Sequence, residues 1–346
     1  MEVMVIGHSR VVNYLEAILK KKTWAHGYLF HGPARVGKET MALLFVRSLL
    51  CEKAGGTLGG CGFGGFDQSF DSESLKRSSR GLSSEGLDKL TASNKCEMCR
   101  ISDLRLTNRF FRLEPGIVAA DDHEKELKKT ITIGQVRELR RWLSLASEKT
   151  RVVLIDRAET LGGDASNALL KILEEPSGTT VFLLISAAPE YILPTILSRV
   201  VPIRFGLVAD KEMQKISGAA EEIIDLARGR PGVLFSVLGD RELFGEKEKL
   251  RKIAETAYGG SIADAFLAAK MLADDRENRD AALEHILTRF RKDFVSLEGV
   301  PLADAIRRAK VGFRALTALQ ATNANQRLAT DIMFLNFRRP VFNVKR

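Results

Sequence analysis

The apolar run Tyr28-Leu29-Phe30 leads into Gly32-Pro33-Ala34-Arg35-Val36-Gly37-Lys38-Glu39, and a helical pattern opens at Met41. A strand, a glycine-bounded loop ending in lysine and a helix, in that order, confine the chain to folds that cradle phosphate. The backbone N–H groups of such a loop and the dipole of the following helix take the phosphate oxygens, and Lys38 is placed to neutralise the β and γ positions. One residue departs from the pattern. Ser or Thr belongs after the lysine, because its hydroxyl holds magnesium, and this chain has Glu39. A carboxylate beside a tetra-anionic ligand costs about 4 kcal/mol for each like-charge contact at ~4 Å and an effective dielectric of ~20. Glu39 is also too long to fit well as a metal ligand where a short hydroxyl belongs, and Thr40 is rotated about 100° around the helix. The residues expected to line a nucleotide are Gly32, Pro33, Gly37, Lys38, Glu39 and Thr40, with Asp156 from the second site below.

Strands are expected over Gly27–His31, Arg109–Leu113, Arg151–Asp156, Thr180–Ser186 and Val200–Phe205. Helices are expected over Arg10–Lys22, Glu39–Leu50, Ile133–Leu145 and Ala165–Leu173. Short apolar runs separated by helical patterns predict an α/β module, a parallel sheet with helices on both faces and its ligand at the carboxyl ends of the strands. Residues 62–94 interrupt it: 13 of these 33 positions are Gly or Ser and the apolar residues show no period, so the stretch reads as a disordered insertion. Beyond the module, helical pattern runs from Asp210 to about Gly239, broken once at Gly229-Arg230-Pro231-Gly232, and from Glu246 to Phe337 it is helical throughout. The predicted division is 1–205 for the α/β module, 206–245 for a small helical domain and 246–346 for an all-α bundle.

The chain has 346 residues and no apolar stretch near the roughly 18 a membrane span needs. No basic flank or long apolar segment opens it, so no secretory signal and a cytoplasmic location are expected. The net charge is +9, and from Pro301 to Arg346 nine Lys/Arg face two Asp/Glu. That excess suits a polyanion or an acidic partner surface, or equally a solvated helical face.

Three further constellations carry chemistry. Arg151-Val152-Val153-Leu154-Ile155-Asp156 is an apolar strand whose terminal carboxylate can reach magnesium through water. Hydrolytic enzymes of this kind follow that Asp with Glu. Here Arg157 follows, which cannot act as a base, and Glu159 would lie on the same side of an extended chain two residues on. Cys51, Cys61, Cys96 and Cys99 are the only cysteines, and the last two form a C-x2-C pair. This is zinc-ribbon-like chemistry. The 34 residues between Cys61 and Cys96 add ~2.5 kcal/mol of loop-closure cost, against about 10 kcal/mol from a structural zinc. Finally, Ser198-Arg199 follows Pro194-Thr195-Ile196-Leu197. The arginine either pairs with a nearby carboxylate or reaches the nucleotide of a neighbouring subunit.

Taken together these residues resemble the bacterial clamp-loader AAA+ family, in particular its delta-prime-type members. The strings that carry the likeness are Val5-Ile6-Gly7-His8, Ala25 to Pro33, the cysteine cluster, Asp156 to Glu159, Asn167 to Pro176 and Ser198-Arg199, with Asn323 to Leu328 near the end. It is dense from Val5 to Phe205 and thinner beyond, and Leu169 to Pro176 is its most specific segment. The resemblance implies an AAA+ module with an inserted zinc site, a helical lid and an oligomerising helical collar. It implies a hetero-pentameric ring of AAA+ subunits that loads a sliding clamp on primed DNA. In that ring a delta-prime-type member is a stator with weak or absent ATP/Mg2+ binding and lends Arg199 in trans to a partner's ATP. Val200 stands where the family often has Cys after Ser-Arg, and Arg230 is the nearest counterpart of the lid arginine of motor subunits. The alternatives are a motor-type clamp-loader ATPase that keeps its own hydrolysis, and a DNA-binding protein whose basic C-terminal region contacts phosphates.

Overall fold

The structure, a computed structural model, describes residues 6–53, 58, 96–100, 104–116, 130–145, 147–175, 179–217, 219–239, 241–272, 276–295, 306–307, 309–315 and 326–337. The expected insertion over 62–94, Cys61 and most of the basic C-terminal stretch lie outside the described residues.

The chain divides into two compact units, Met1–Phe235 and Ser236–Arg346. The first is built on five strands, β1 (Gly27–His31), β2 (Phe110–Leu113), β3 (Arg151–Ile155), β4 (Thr180–Ser186) and β5 (Val201–Arg204). Every pairing is parallel, in the order β2-β3-β4-β1-β5. β3 and β4 are buried along their whole length, as Val/Leu/Ile runs covered on both faces must be. The two-residue period of a strand sorts their side chains. Tyr28, Phe30, Val152, Leu154, Val181 and Leu183 join one core, and Leu29, Val153, Ile155, Phe182 and Leu184 the other.

The first core is closed by α1 (Ser9–Lys21) and α2 (Lys38–Leu50), through Val11, Leu15 and Phe45. The second is closed by α4 (Ile133–Ser144) and α5 (Gly163–Glu174), through Leu139, Leu143, Leu169 and Leu173. α3 (Glu97–Arg100) is one short turn between them in sequence. Each fully buried Leu or Phe contributes about 1.5–3 kcal/mol. α4 begins with a capping box: Gln135 Oε1 accepts from the Thr132 N–H at 2.9 Å while Thr132 Oγ1 accepts from the Gln135 N–H. It ends on Arg151, a buried guanidinium that donates to the carbonyls of Trp142, Leu143 and Leu145. These four helices and five strands match the expected ones to within two residues at each end.

The region beyond β5 differs from expectation. Two helices were predicted before Gly239, and three form after α6 (Pro194–Leu197): α7 (Asp210–Ser217), α8 (Glu221–Ala227) and α9 (Pro231–Gly239). The extra break comes at Ser217. Its hydroxyl donates to the Met213 carbonyl and accepts from the Ala219 N–H, offering the backbone a turn in place of another helical bond.

The second unit is helical among its described residues: α10 (Arg241–Gly259), α11 (Ile262–Leu272), α12 (Arg276–Val295) and α13 (Gln326–Phe337). Ala254, Ala257, Ala265, Ala268 and Ala269 let the helices pack closely around Phe334 and Phe337. No helix among the described residues is long and apolar enough to cross a membrane.

Candidate functional site

Because all five strands are parallel, the loops following β1, β2, β3 and β4 open on one edge of the sheet, where a ligand site belongs. The loop after β1 is shaped by two glycines. Gly32 has φ 141°, and a Cβ there would stand 2.1 Å from the Phe205 carbonyl oxygen. Gly37 has φ 101° and opens α2 without a side-chain cap, so no side chain competes for the first N–H groups of that helix. The loop is clasped from outside as well. His8 donates through Nε2 to the Val36 carbonyl at 3.0 Å, and the Gly232 N–H at the start of α9 donates to the Arg35 carbonyl at 2.9 Å.

Lys38 is buried, and its ammonium is folded back onto the loop. It donates to the Gly32 carbonyl at 2.7 Å and to the Pro33 carbonyl at 2.6 Å. Burial lowers its pKa, the carboxylates of Glu159 and Asp156 work the other way, and the charge of Arg230 adds to the lowering. Arg230 therefore acts electrostatically on the loop lysine from the turn ahead of α9.

The residues expected to hold a metal meet a guanidinium. Glu39, in the first turn of α2, is 2.8 Å from Arg112 Nη1, and Asp156, just past β3, is 3.2 Å from Arg112 Nη2. Glu114, just past β2, accepts at 2.8 Å from both Nη2 and Nε. Burial works against the charge on Arg112, but the hydrogen bond and charge of Glu39, then Glu114 and Asp156, carry its pKa above the ordinary arginine value. The Asp156 carboxyl is pushed up by burial and by Glu39, and pulled back by Arg112 and by the Arg157 N–H. Thr40, half-buried one position along α2, takes no part in this bridge. With a carboxylate in place of the hydroxyl and a fixed cation between Glu39 and Asp156, the residues present do not fit a divalent ion.

The chain past Asp156 is not extended as expected. Arg157 takes φ 51°, and residues Ala158–Thr160 form one tight helical turn. Asp156 Oδ1 accepts from the Arg157 N–H at the start of this turn. Glu159 is carried toward β4, where its Oε1 accepts from the Ala187 N–H at 3.2 Å. Its Oε2 is buried without a hydrogen-bond partner among the described residues.

Arg199 follows α6 and is a third exposed. It donates to Glu174 Oε1 at 2.7 Å and to the Thr195 carbonyl at 2.8 Å. Glu174 is the last residue of α5, so the arginine is held by a carboxylate of its own chain.

A separate cluster is formed by three of the four cysteines. Cys51 caps α2, Cys96 precedes α3 and Cys99 lies within it, and their sulfurs lie within 4.8 Å of one another. Cys51 Sγ and Cys96 Sγ are 3.7 Å apart, close to the ~3.8 Å between two sulfurs of a tetrahedral zinc site at ~2.3 Å Zn–S. The Cys99 N–H donates to the Cys96 carbonyl, the turn a C-x2-C pair needs to aim both sulfurs at one point. Three thiols in this arrangement fit a tetrahedral metal such as zinc, which when bound would tie the segments together. Cys61, the expected fourth ligand, lies outside the described residues. Beside the cluster, Arg109 donates to the Leu50 carbonyl at the end of α2.

Arg112 and Glu114 were missed by sequence reasoning. A charged residue inside the strand run Phe110-Phe111-Arg112-Leu113 was the available signal, because an arginine at a half-buried strand position needs a carboxylate partner.

Comparison with known proteins adds the following. A family model described as "DNA polymerase III, delta subunit" matches residues 7–64 and 63–208. DNA polymerase III subunit delta' of Pseudomonas aeruginosa is 32% identical over 209 residues, 60% of this chain and 48% of that protein. DNA polymerase III subunit tau of Bacillus subtilis is 26% identical over 258 residues, 74% of this chain and 35% of that protein. The delta' subunit of Bacillus subtilis is 26% identical over 194 residues, 55% and 45%. The match thus spans under half the length of each of these relatives. Among solved structures, RuvB of Thermotoga maritima matches at 14% identity over 72% of this chain and 76% of that one, with a TM-score of 0.40. A gamma-subunit-related protein from the same organism matches at 18% identity over 94% and 98%, with a TM-score of 0.35.

Proposed function

The chain belongs to the DNA polymerase III delta-subunit family, and from that premise we propose that it is a delta-prime-type subunit of the replicative clamp loader, a stator that does not turn over ATP. It sits in the cytoplasm in a hetero-pentameric ring of AAA+ subunits, which loads a sliding clamp on primed DNA, and it lends Arg199 to the ATP of a neighbouring subunit. The AAA+ module is residues 1–205, the lid 206–245 and the collar 246–346. Cys51, Cys61, Cys96 and Cys99 hold a structural zinc.

One observation carries the reading: both residues that turnover needs are replaced. Glu39 stands where the metal-holding hydroxyl belongs, and Arg157, turned aside at φ 51°, stands where the water-polarising carboxylate belongs. The partial exposure of Arg199 supports its role in trans, since its one carboxylate partner among the described residues, Glu174, is itself half exposed and leaves Nη2 reachable from solvent. The names of the relatives, all polymerase III subunits, support the assembly.

The test is Arg199→Ala in the reconstituted complex. Loss of a trans-acting arginine lowers the partner's ATP hydrolysis by at least about tenfold, a floor well below the 10³–10⁵ such residues supply elsewhere. The variant subunit still assembles. Unchanged hydrolysis and clamp loading would remove Arg199 from the mechanism.

A further inference from the structure

Three carboxylates from three separate elements converge on one guanidinium at the carboxyl edge of the sheet. Glu39 comes from the first turn of α2, Glu114 from the end of β2 and Asp156 from the end of β3. The register pairs Arg112 with Leu154 on the adjacent strand, two residues ahead of Asp156. Arg112 and Glu114 are likewise two apart, so the strand period brings all of them to one face. All three nitrogens of the fork are engaged, Nε and Nη2 on Glu114, Nη2 on Asp156 and Nη1 on Glu39.

We infer that Arg112 is a built-in cation standing in the place of the divalent ion, so that whatever phosphate this loop receives is received without a metal. The inference deepens the stator reading above and rests on it.

The geometry excludes the ion. Magnesium draws its oxygens to ~2.0–2.1 Å in near-octahedral array. Here the oxygens of Glu39 and Asp156 are held on different arms of a planar fork, at 2.8 and 3.2 Å from its nitrogens. They have no common point to share while the fork stands between them. A guanidinium cannot lose its proton at accessible pH, and being part of the chain it is neither diluted nor chelated. The occupancy is therefore permanent where that of a metal is conditional. Lys38, the lysine that ends the loop, does not fill this place, because its ammonium is committed to the Gly32 and Pro33 carbonyls.

The experiment is a Mn2+ titration of the full chain followed by electron paramagnetic resonance, on the wild type, Arg112→Met and Glu39→Thr. Arg112→Met removes the charge, leaves the three carboxylates facing one another, and gains about one Mn2+ per chain. The wild type takes up less than about a tenth of that. Glu39→Thr restores the hydroxyl but keeps the guanidinium on Glu114 and Asp156, so it also takes up none. Stoichiometric Mn2+ in the wild type or in Glu39→Thr overturns the inference, as does a natively folded Arg112→Met that binds none. Because Glu39 is exposed, its variant reads out even where Arg112→Met fails to fold. ATP hydrolysis is assayed in the same samples. Hydrolysis by the wild type refutes the stator reading, whereas Mn2+ uptake by the wild type or Glu39→Thr without hydrolysis refutes only the role of Arg112.

Discussion

Gly32 shows how tightly the phosphate loop is tied to the strand beside it. Its φ of 141° is open only to glycine, and the space where a Cβ would go is filled by the Phe205 carbonyl, a backbone atom fixed by the Phe205 N–H bond to His31. Gly32→Ala therefore destabilises the first unit by about 2–4 kcal/mol. The midpoint of urea unfolding measures it, and an unchanged midpoint would mean that the loop is not held as described. At the same scale the sequence was informative but incomplete. Glu39 and Arg157 were legible as departures because the motif fixes what belongs at each position. Arg112 was not, because no motif covers β2 and only the folded register brings it to Asp156. The direction of Glu159 also escaped, since the turn that redirects it depends on a left-handed Arg157.

At the scale of elements, the strands could be read because β3 and β4 are apolar runs too short for helices, bounded by turn residues. Their order in the sheet could not, since β1 lies between β4 and β5, and nothing local to β1 specifies partners that far along the chain. The helices after β5 were under-counted for the opposite reason: a single serine turn at Ser217 outweighed a continuous helical pattern. The cysteine cluster joins elements too, bringing the end of α2 beside α3, and its spacing was readable because ligand chemistry limits the separations that work. Purified under reducing conditions, the chain carries about one zinc, and Cys99→Ser lowers the content well below one while chelation lowers the melting temperature. Zinc content unaffected by Cys99→Ser would detach the metal from this cluster.

At the scale of the whole molecule, the loop, the bridging guanidinium and the exposed arginine divide one task between them. The edge of the sheet keeps the shape of a nucleotide site, with Gly37 opening α2 uncapped and Lys38 at its head. Arg112 closes the metal position, and Arg199, just ahead of β5, is held by Glu174, the Thr195 carbonyl and the Ser198 hydroxyl. Under the function proposed above, a subunit built this way contributes to hydrolysis at a neighbour's site without carrying it out at its own. The most direct test is titration of the purified chain with a fluorescent ATP analogue, with magnesium and with EDTA, while hydrolysis is followed in the same tubes. The account predicts either no binding or binding that magnesium leaves unchanged, with no turnover. Tight binding that requires magnesium, accompanied by steady hydrolysis that Lys38→Ala abolishes, would contradict it and make this chain a motor.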